Sequence, residues 1–421
     1  MNQSEATALI VQQQQQSPQT ARAMMSRRTR VVLGAILAIG LVCGAVALAV
    51  SMSSSSASSS SEAQGRRTGA TYPVACPAAP ANPEDRRTDK SRLRVASFNA
   101  EWLFLGQLAP TGARESGTDD KRSSQSSDSD VHRRGAISCP GDCTWTTPQE
   151  AVQHFDRVVK VLKDVNADII NLVEIENCTI LYYLVNALPG FGYKPYLITG
   201  TDTATGQNVG ILTRVDPYMA MTRDESRQNY PVPGTQCAAA TASGTTGVSK
   251  HYLTAFQINN KKVGMMGLHL LSQPWQAENC RKREAQALVA RNAADTILAG
   301  VDELIFLGDF NDYDGTVLDI AGSVPTSRTL EYLKTPINPS TAHLALSNVA
   351  SHVPLENRYT SWWDKDNSCV DEGGDEHTSI DHMLVSAGLA AGIQNVLFDH
   401  EFVACCQCVS DHWPVVVDFA V

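Results

Sequence analysis

Leu304-Ile305-Phe306-Leu307-Gly308-Asp309-Phe310-Asn311-Asp312-Tyr313-Asp314 is the stretch whose reading decides the fold. Four apolar residues without a break, closed by a glycine, read as a strand buried on both faces. Gly308 permits a sharp turn where the strand leaves its sheet. Residues two apart in extended chain share a face, so Asp309 and Asn311 point the same way at the carboxyl end of that strand. Open α/β sheets keep their chemistry at that edge. Taken alone, the same residues also make a β-turn, because Asp, Asn and Gly crowd into turns. The company the stretch keeps separates the two readings.

Working outward, each apolar run delivers a polar group. Val263 to Leu268 reads as a strand that ends at His269, and a helix from Cys280 to about Leu298 leads on to the central stretch. Leu93 to Asn99 alternates like a first strand and closes on Asn99 and Glu101. Thr147-Pro148-Gln149-Glu150 predicts a helix start, with Thr as N-cap, Pro at the first position and Glu at the third. Val152, Phe155, Val158, Val159, Leu162 and Val165 form its apolar stripe. Asp168 to Val173 then predicts a buried strand with Glu174 at its end, and a second helix over 178–187. Downstream, Ser379-Ile380-Asp381-His382 opens the run Met383-Leu384-Val385, and the last strand follows Ser410-Asp411-His412-Trp413-Pro414. Helix, turn, strand, acid is the α/β rhythm. Residues 106–146, rich in Ser, Asp and Gly, read as a surface insertion, and 223–250 as another loop.

The 421 residues carry a formal charge of -10, unevenly spread. Residues 1–90 hold nine Lys/Arg against five Asp/Glu, and residues 91–421 hold 25 against 39, a balance of -14. Such a domain is not built for tight nonspecific binding to nucleic acid, which depends on neutralising phosphates. A phosphodiester substrate stays open, because bound divalent cations invert the local field. Residues 1–30 read as a cytosolic tail, disordered and Gln-rich. Val31 to Val50 has no charge and follows Arg27, Arg28 and Arg30. A helix of that length spans ~30 Å, a bilayer core, with its N-terminus in the cytosol. A type II signal-anchor is expected; the alternative is a cleaved signal peptide ending near Ala47-Leu48-Ala49. The Ser/Pro/Ala-rich residues 51–91 read as a stalk, and 92–421 as the folded domain. Ten of the eleven cysteines lie outside the apolar span, which suggests up to five disulfides and an oxidising compartment. Asn177-Cys178-Thr179 is a glycosylation sequon so close to Glu174 that a glycan would crowd the cleft.

Singly, these groups have bland readings. His269 reads as a packed histidine, Glu101 as a surface charge, and Arg281-Lys282-Arg283 as a solvated helix end. Together, six motifs resemble the endonuclease/exonuclease/phosphatase superfamily, the DNase I-like fold. They are Ser-Phe-Asn at 97–99, Leu-Val-Glu-Ile-Glu-Asn around Glu174, Leu-His-Leu-Leu-Ser around His269, Gly-Asp-Phe-Asn-Asp at 308–312, Ser-Ile-Asp-His at 379–382 and Ser-Asp-His-Trp-Pro at 410–414. The resemblance implies a four-layer α/β sandwich, two packed β-sheets flanked by helices. It implies that Glu174, Asn99, Asp411 and Glu101 serve a divalent metal, Mg²⁺ with Mn²⁺ or Ca²⁺ as alternatives. Glu101 stands where several members have Asp. It implies Asp309 and Asn311 as the pair that activates water, His412 oriented by Asp381 at the scissile phosphate, and His269 as a second histidine. Tyr196 and Tyr230 are both candidates for the site tyrosine.

The expected activity is divalent-metal-dependent phosphodiester hydrolysis by a DNase-type nuclease, membrane-anchored with its catalytic domain outside the cytosol, or secreted. DNA is the favoured substrate. A sphingomyelinase or phosphoinositide phosphatase acting on phospholipid is the alternative, and a non-catalytic surface binding protein the third reading. No obligate protein partner is evident.

Overall fold

The structure is a computed structural model and describes residues 75–105, 147–237, 241–404 and 409–421. The expected tail, membrane span and insertion, and the Cys405–Cys408 segment, lie outside the described residues. No helix among the described residues is long and apolar enough to cross a membrane.

Strands β1 (Arg92–Leu103) and β2 (Ile169–Ile175) lie parallel, and helix α1 (Pro148–Val165) falls on the connection between them. α1 starts where expected. Thr147 Oγ1 accepts the Glu150 N–H, and the Glu150 carboxylate answers the Thr147 N–H. The helix buries Phe155, Val158, Leu162 and Val165 with Phe98 and Leu172 of the two strands, and α2 (Cys178–Ala187) adds Leu181 and Leu184 to the same cluster. The first sheet runs β15 (Ile393–Phe398), β16 (Val415–Ala420), β1, β2, β4 (Asn208–Thr213), β3 (Lys194–Leu197).

The second sheet repeats the device. β9 (Lys261–His269) and β10 (Glu303–Asp309) are parallel neighbours linked through α3 (Ala277–Ile297). Its order is β11 (Leu346–Asn348), β14 (Asp381–Ser386), β10, β9, β8 (Lys250–Ile258), β5 (Pro217–Thr222). β10 is buried along its whole length, as its composition predicts. Leu304 and Phe306 join Ala290 and Ala294 of α3, whereas Ile305 and Leu307 join Val95, Ile169 and Val417 of the first sheet. That alternation is the strand period of two. Burying each such side chain stabilises the fold by about 1.5–3 kcal/mol. The layers are thus helices, sheet, sheet, helices.

Gly308 has a different reason from the expected one. It sits inside β10 at φ 135°, and a Cβ there would stand 2.0 Å from the Leu268 carbonyl oxygen of β9. It serves close approach of two backbones rather than a turn beyond the strand.

Three other expectations change. The chain before Arg92 is not all stalk: Asp85 bridges to Val215, Arg87 is buried against Asp85 and the Arg92 carbonyl, and Cys76 is disulfide-bonded to Cys178. Charge pairing and a covalent bridge hold a segment whose composition offers few apolar groups. Residues 223–250 include a hairpin of β6 (Gln228–Tyr230) and β7 (Gly244–Thr246), next to the Cys237–Cys280 disulfide. Arg283 is no solvated helix end; it is fully buried, bonded to Asp312 and to four carbonyls. A last ribbon, β12 (Ser361–Trp362) with β13 (His377–Thr378), meets the segment ahead of β16 through a bridge from Ser361 to His412.

Candidate active site

Two parallel pairs of strands, one pair in each sheet, bring Asn99, Glu174, His269 and Asp309 together at their ends. Asn99 Nδ2 donates to Glu174 Oε1 at 3.3 Å and to Asp309 Oδ2 at 3.2 Å, so one amide spans the two sheets. His269 Nε2 faces the same two carboxylates, 3.7 Å from Glu174 and 3.6 Å from Asp309. In register, Asp309 pairs with His269 on one side and Asp381 on the other. Asp381 Oδ2 lies 2.6 Å from His412 Nδ1. Glu101 Oε2 accepts the Asp411 N–H at 3.1 Å, and Asp411 Oδ1 lies 3.8 Å from His412 Nε2. All nine expected residues fall in this region, with Asn311 at its margin. Its side-chain amide bonds the Leu270 carbonyl, and its N–H bonds Asp309 Oδ1 at 2.9 Å. Both readings of the central stretch therefore hold: a buried strand that ends in an Asx turn.

The backbone bends where the chemistry sits. Glu101, Trp102, Glu174 and Asn311 have φ of 43°, 48°, 62° and 50°. Left-handed backbone at a residue other than glycine costs on the order of 1–3 kcal/mol. The β1–β2 register shifts between Asn99 and Leu103, a bulge that lets the Trp102 N–H reach Glu174 Oε2 at 3.1 Å.

Electrostatics follow from burial and crowding. Burial, then Asp381 and Glu174, pushes the Asp309 carboxyl up to about 8 against the pull of His412. Burial raises Glu174, with Asp411 adding to it, and raises Glu101 strongly, with Asp411 and Glu174 adding to it. Burial also raises Asp411. For His412, burial alone favours the neutral ring, but Asp381, Asp411 and Asp309 outweigh it and hold the imidazolium far above the usual range. His269 goes the other way, lowered by burial and by Lys250 and His412. The two histidines are thus pushed in opposite directions.

Acids crowded in this way are short of positive charge. Glu174, His269 and Asp309 offer donor atoms all within 4.8 Å of one another, as do Asp309, Asp381 and His412. The oxygen-rich donor set suits a hard divalent cation such as Mg²⁺. The residues fit the metal that the motifs imply.

Sequence reasoning missed several supports. Ser410 Oγ donates to the Asn99 carbonyl and accepts the His412 N–H, tying β1 to the last motif. Thr360 Oγ1 accepts the Asp381 N–H. Lys250, opposite His269 in the sheet, is the near cation felt by Glu174 and His269. Ser410 lay within a quoted motif; Lys250 carried no local signal. Neither candidate tyrosine joins the cluster by a hydrogen bond: Tyr196 bonds Asp216, and Tyr230 lies by Lys282.

Two packed sheets with acids, an amide and two histidines gathered at their strand ends define a phosphoesterase-type hydrolase. The chain belongs to the Endonuclease/Exonuclease/phosphatase family, whose model matches residues 146–412. Members of that family use divalent metals. No curated protein is matched by sequence. Among solved structures the chain is similar to a humanized D. rerio TDP2 (14% identity, 79% of this chain and 100% of that one, TM-score 0.43). It is similar to ANGEL2, a 2′,3′-cyclic phosphatase (13% identity, 78% and 95%, TM-score 0.43). It is also similar to the human Nocturnin catalytic domain (14% identity, 80% and 96%, TM-score 0.42).

Proposed function

We propose that this chain is a divalent-metal-dependent nuclease that hydrolyses phosphodiester bonds of nucleic acid, DNA foremost, outside the cytosol. The observation that carries the reading is Asn99 bridging Glu174 and Asp309 across the two sheets, with the Asp381–His412 pair beside them. Glu174 with Asn99, and Glu101 with Asp411, are the groups that would hold the metal. When bound, the metal neutralises phosphoryl oxygens and makes a water more acidic.

The chain's own residues do the rest. With a cation held beside it Asp309 would stand as the carboxylate, fixed by the Asn311 N–H, and take the proton from the attacking water. His412, held as imidazolium by Asp381, stabilises charge on the phosphate and gives a proton to the leaving oxygen. Neutral His269 orients the phosphate as a hydrogen-bond donor. The disulfides support a domain that works in an oxidising compartment, anchored or secreted.

The test is nicking of closed circular DNA by the full chain with Mg²⁺ and with chelator, beside sphingomyelin hydrolysis. Asp309→Ala is expected to lower DNA cleavage by about 10²–10⁴-fold, the range for a lost general base. Full activity of that variant refutes the mechanism. The balance of -14 over residues 91–421 favours one second reading, a phospholipid phosphodiesterase or phosphatase. Metal-dependent lipid hydrolysis with intact plasmid decides for it.

A further inference from the structure

Tyr359 is held between two imidazoles. Its ring lies on that of His400 at 3.7 Å between centroids and 4°, and on that of His377 at 4.1 Å and 14°. Trp413 stands edge-on to Tyr359, His377 and His400, at 5.0, 5.2 and 5.3 Å. The side chains come from separate places in the chain: the segment before β12, the first residue of β13, the connection from β15 to β16, and the residue after His412. Polar contacts close the stack. His400 Nε2 donates to the Tyr359 carbonyl at 3.0 Å, His377 Nε2 lies 2.7 Å from Asp371 Oδ1, and the Trp413 indole N–H donates to the Phe402 carbonyl. None of the six motifs contains Tyr359, His377 or His400.

The stack holds a strap of chain that reaches both members of the Asp381–His412 pair. Thr360, fully buried, accepts the Ile380 and Asp381 N–H groups on Oγ1 at 3.2 and 3.0 Å. Its carbonyl accepts the Trp413 N–H, Ser361 bridges to His412, and the Trp362 N–H donates to the Asp411 carbonyl. The strap therefore sets the backbone of the acid through one contact and that of the histidine through the others. Its own ribbon is too short to fix it: β12 and β13 have two residues each, and an isolated hairpin is marginal in water. Stacked rings supply the missing rigidity, because aromatic faces pack in few relative arrangements.

We propose that Tyr359, gripped by His377 and His400, is a positioning residue: it fixes the strap that sets the Asp381 carboxylate against His412 Nδ1. The 2.6 Å separation of that pair leaves little slack. The inference rests on the reading of His412 as the group at the scissile phosphate, and adds to it that the alignment is made from outside the two large sheets.

The proton in this short charge-assisted hydrogen bond gives a far-downfield NMR resonance, a readout that needs no substrate. The experiment follows that resonance, thermal melts and Mg²⁺-dependent plasmid nicking in the full chain, for wild type, Tyr359→Leu, Tyr359→Phe and His400→Gln. Tyr359→Leu should shift or lose the resonance and lower kcat by about 10- to 100-fold, the scale for a misplacement of about 1 Å, with KM little changed. Tyr359→Phe keeps the ring and should restore most of both. His400→Gln opens one face of the sandwich and keeps a donor for the Tyr359 carbonyl; it should show a smaller change of the same kind, and it carries the test where Tyr359→Leu does not fold. A variant that melts early but keeps the resonance and kcat makes the stack structural only and overturns the proposal. So does a fall in kcat with the resonance unmoved, a loss that Tyr359→Phe does not repair, or absence of the resonance in wild type. If wild type leaves the plasmid intact, the nuclease reading fails, and the resonance still decides the positioning.

Discussion

Replacing Arg283 with Met tests how far one buried cation holds the second sheet's functional edge. Methionine keeps the length of the side chain and loses its charge and all five donors. Asp312, 1% exposed, keeps bonds from Ser327 Oγ and the Tyr313 N–H but loses its cation. Breaking a buried ion pair from one side costs about 3–5 kcal/mol. Of the four released carbonyls, those of exposed Ser272 and half-buried Leu271 and Gln273 can turn to water, whereas that of buried Pro274 cannot. One stranded acceptor adds about 1–3 kcal/mol. The sum is roughly 5 kcal/mol, a large fraction of the ~5–15 kcal/mol that holds a domain together. At ~2–4 °C per kcal/mol the melting temperature should fall by roughly 10 °C or more. Urea unfolding and thermal melts measure this directly. Arg283→Lys, with its charge retained and its fork lost, should fall between. A loss under ~1 kcal/mol for Arg283→Met would mean that the guanidinium is replaceable by water and that the loops are held by something else.

Two further outcomes follow from single features. Gly308→Ala puts a methyl 2.0 Å from the Leu268 carbonyl at a φ of 135° and should leave little folded protein, read as loss of soluble expression or of a cooperative melt; a wild-type melt would refute the close approach. In chelator, Asp309 and His412 should contribute a stability that falls as pH rises, while the lowered His154, His251, His269, His382 and His400 contribute in the opposite sense around and below 6.5. The folded Asp309 carboxyl, raised to about 8 from 3.8, holds a proton that the unfolded chain has released, so protonation favours the fold across that window. His412, raised in the folded state, acts in the same sense: its contribution is complete below 6.5 and is lost as pH climbs through its folded value. Asp309→Asn, which cannot ionise, should therefore gain stability relative to wild type between pH 6 and pH 8 in chelator, and saturating Mg²⁺ should narrow that gain; a difference between the two proteins that does not change with pH would contradict the crowded-acid reading.

The parts legible in the sequence were those whose causes are local. The capping box at Thr147, the two-faced burial of β10 and the termini of the strands that carry Asn99, Glu174 and His269 depend on neighbours within a few residues. Arg283 was not legible, because three basic residues in a row look alike until Asp312, far along the chain, picks one of them. Residues 84–91 look like stalk in the sequence because composition says nothing of Asp85 pairing beside Val215. Lys250 carries no motif, and only the β8–β9 register sets it opposite His269. The Asp309–Asn311 segment shows a subtler case: strand and turn were alternatives on paper, and the backbone does one and then the other.

The Cys76–Cys178 bridge closes a loop of sequence separation 102 that contains β1, α1 and β2. Tension applied anywhere upstream of Cys76 therefore passes through a covalent bond into the first turn of α2 and bypasses those three elements. Without the bridge, the same pull would act first on the Asp85–Val215 bridge and the ion pairs of Arg86 and Arg87, and only then on β1 between β16 and β2, with Asn99 on it. For a chain tethered at its N-terminal side, the disulfide would work as a strain relief, and in a reducing environment only the ion pairs and the bridge of residues 85–87 would stand between the pull and the strand that carries Asn99.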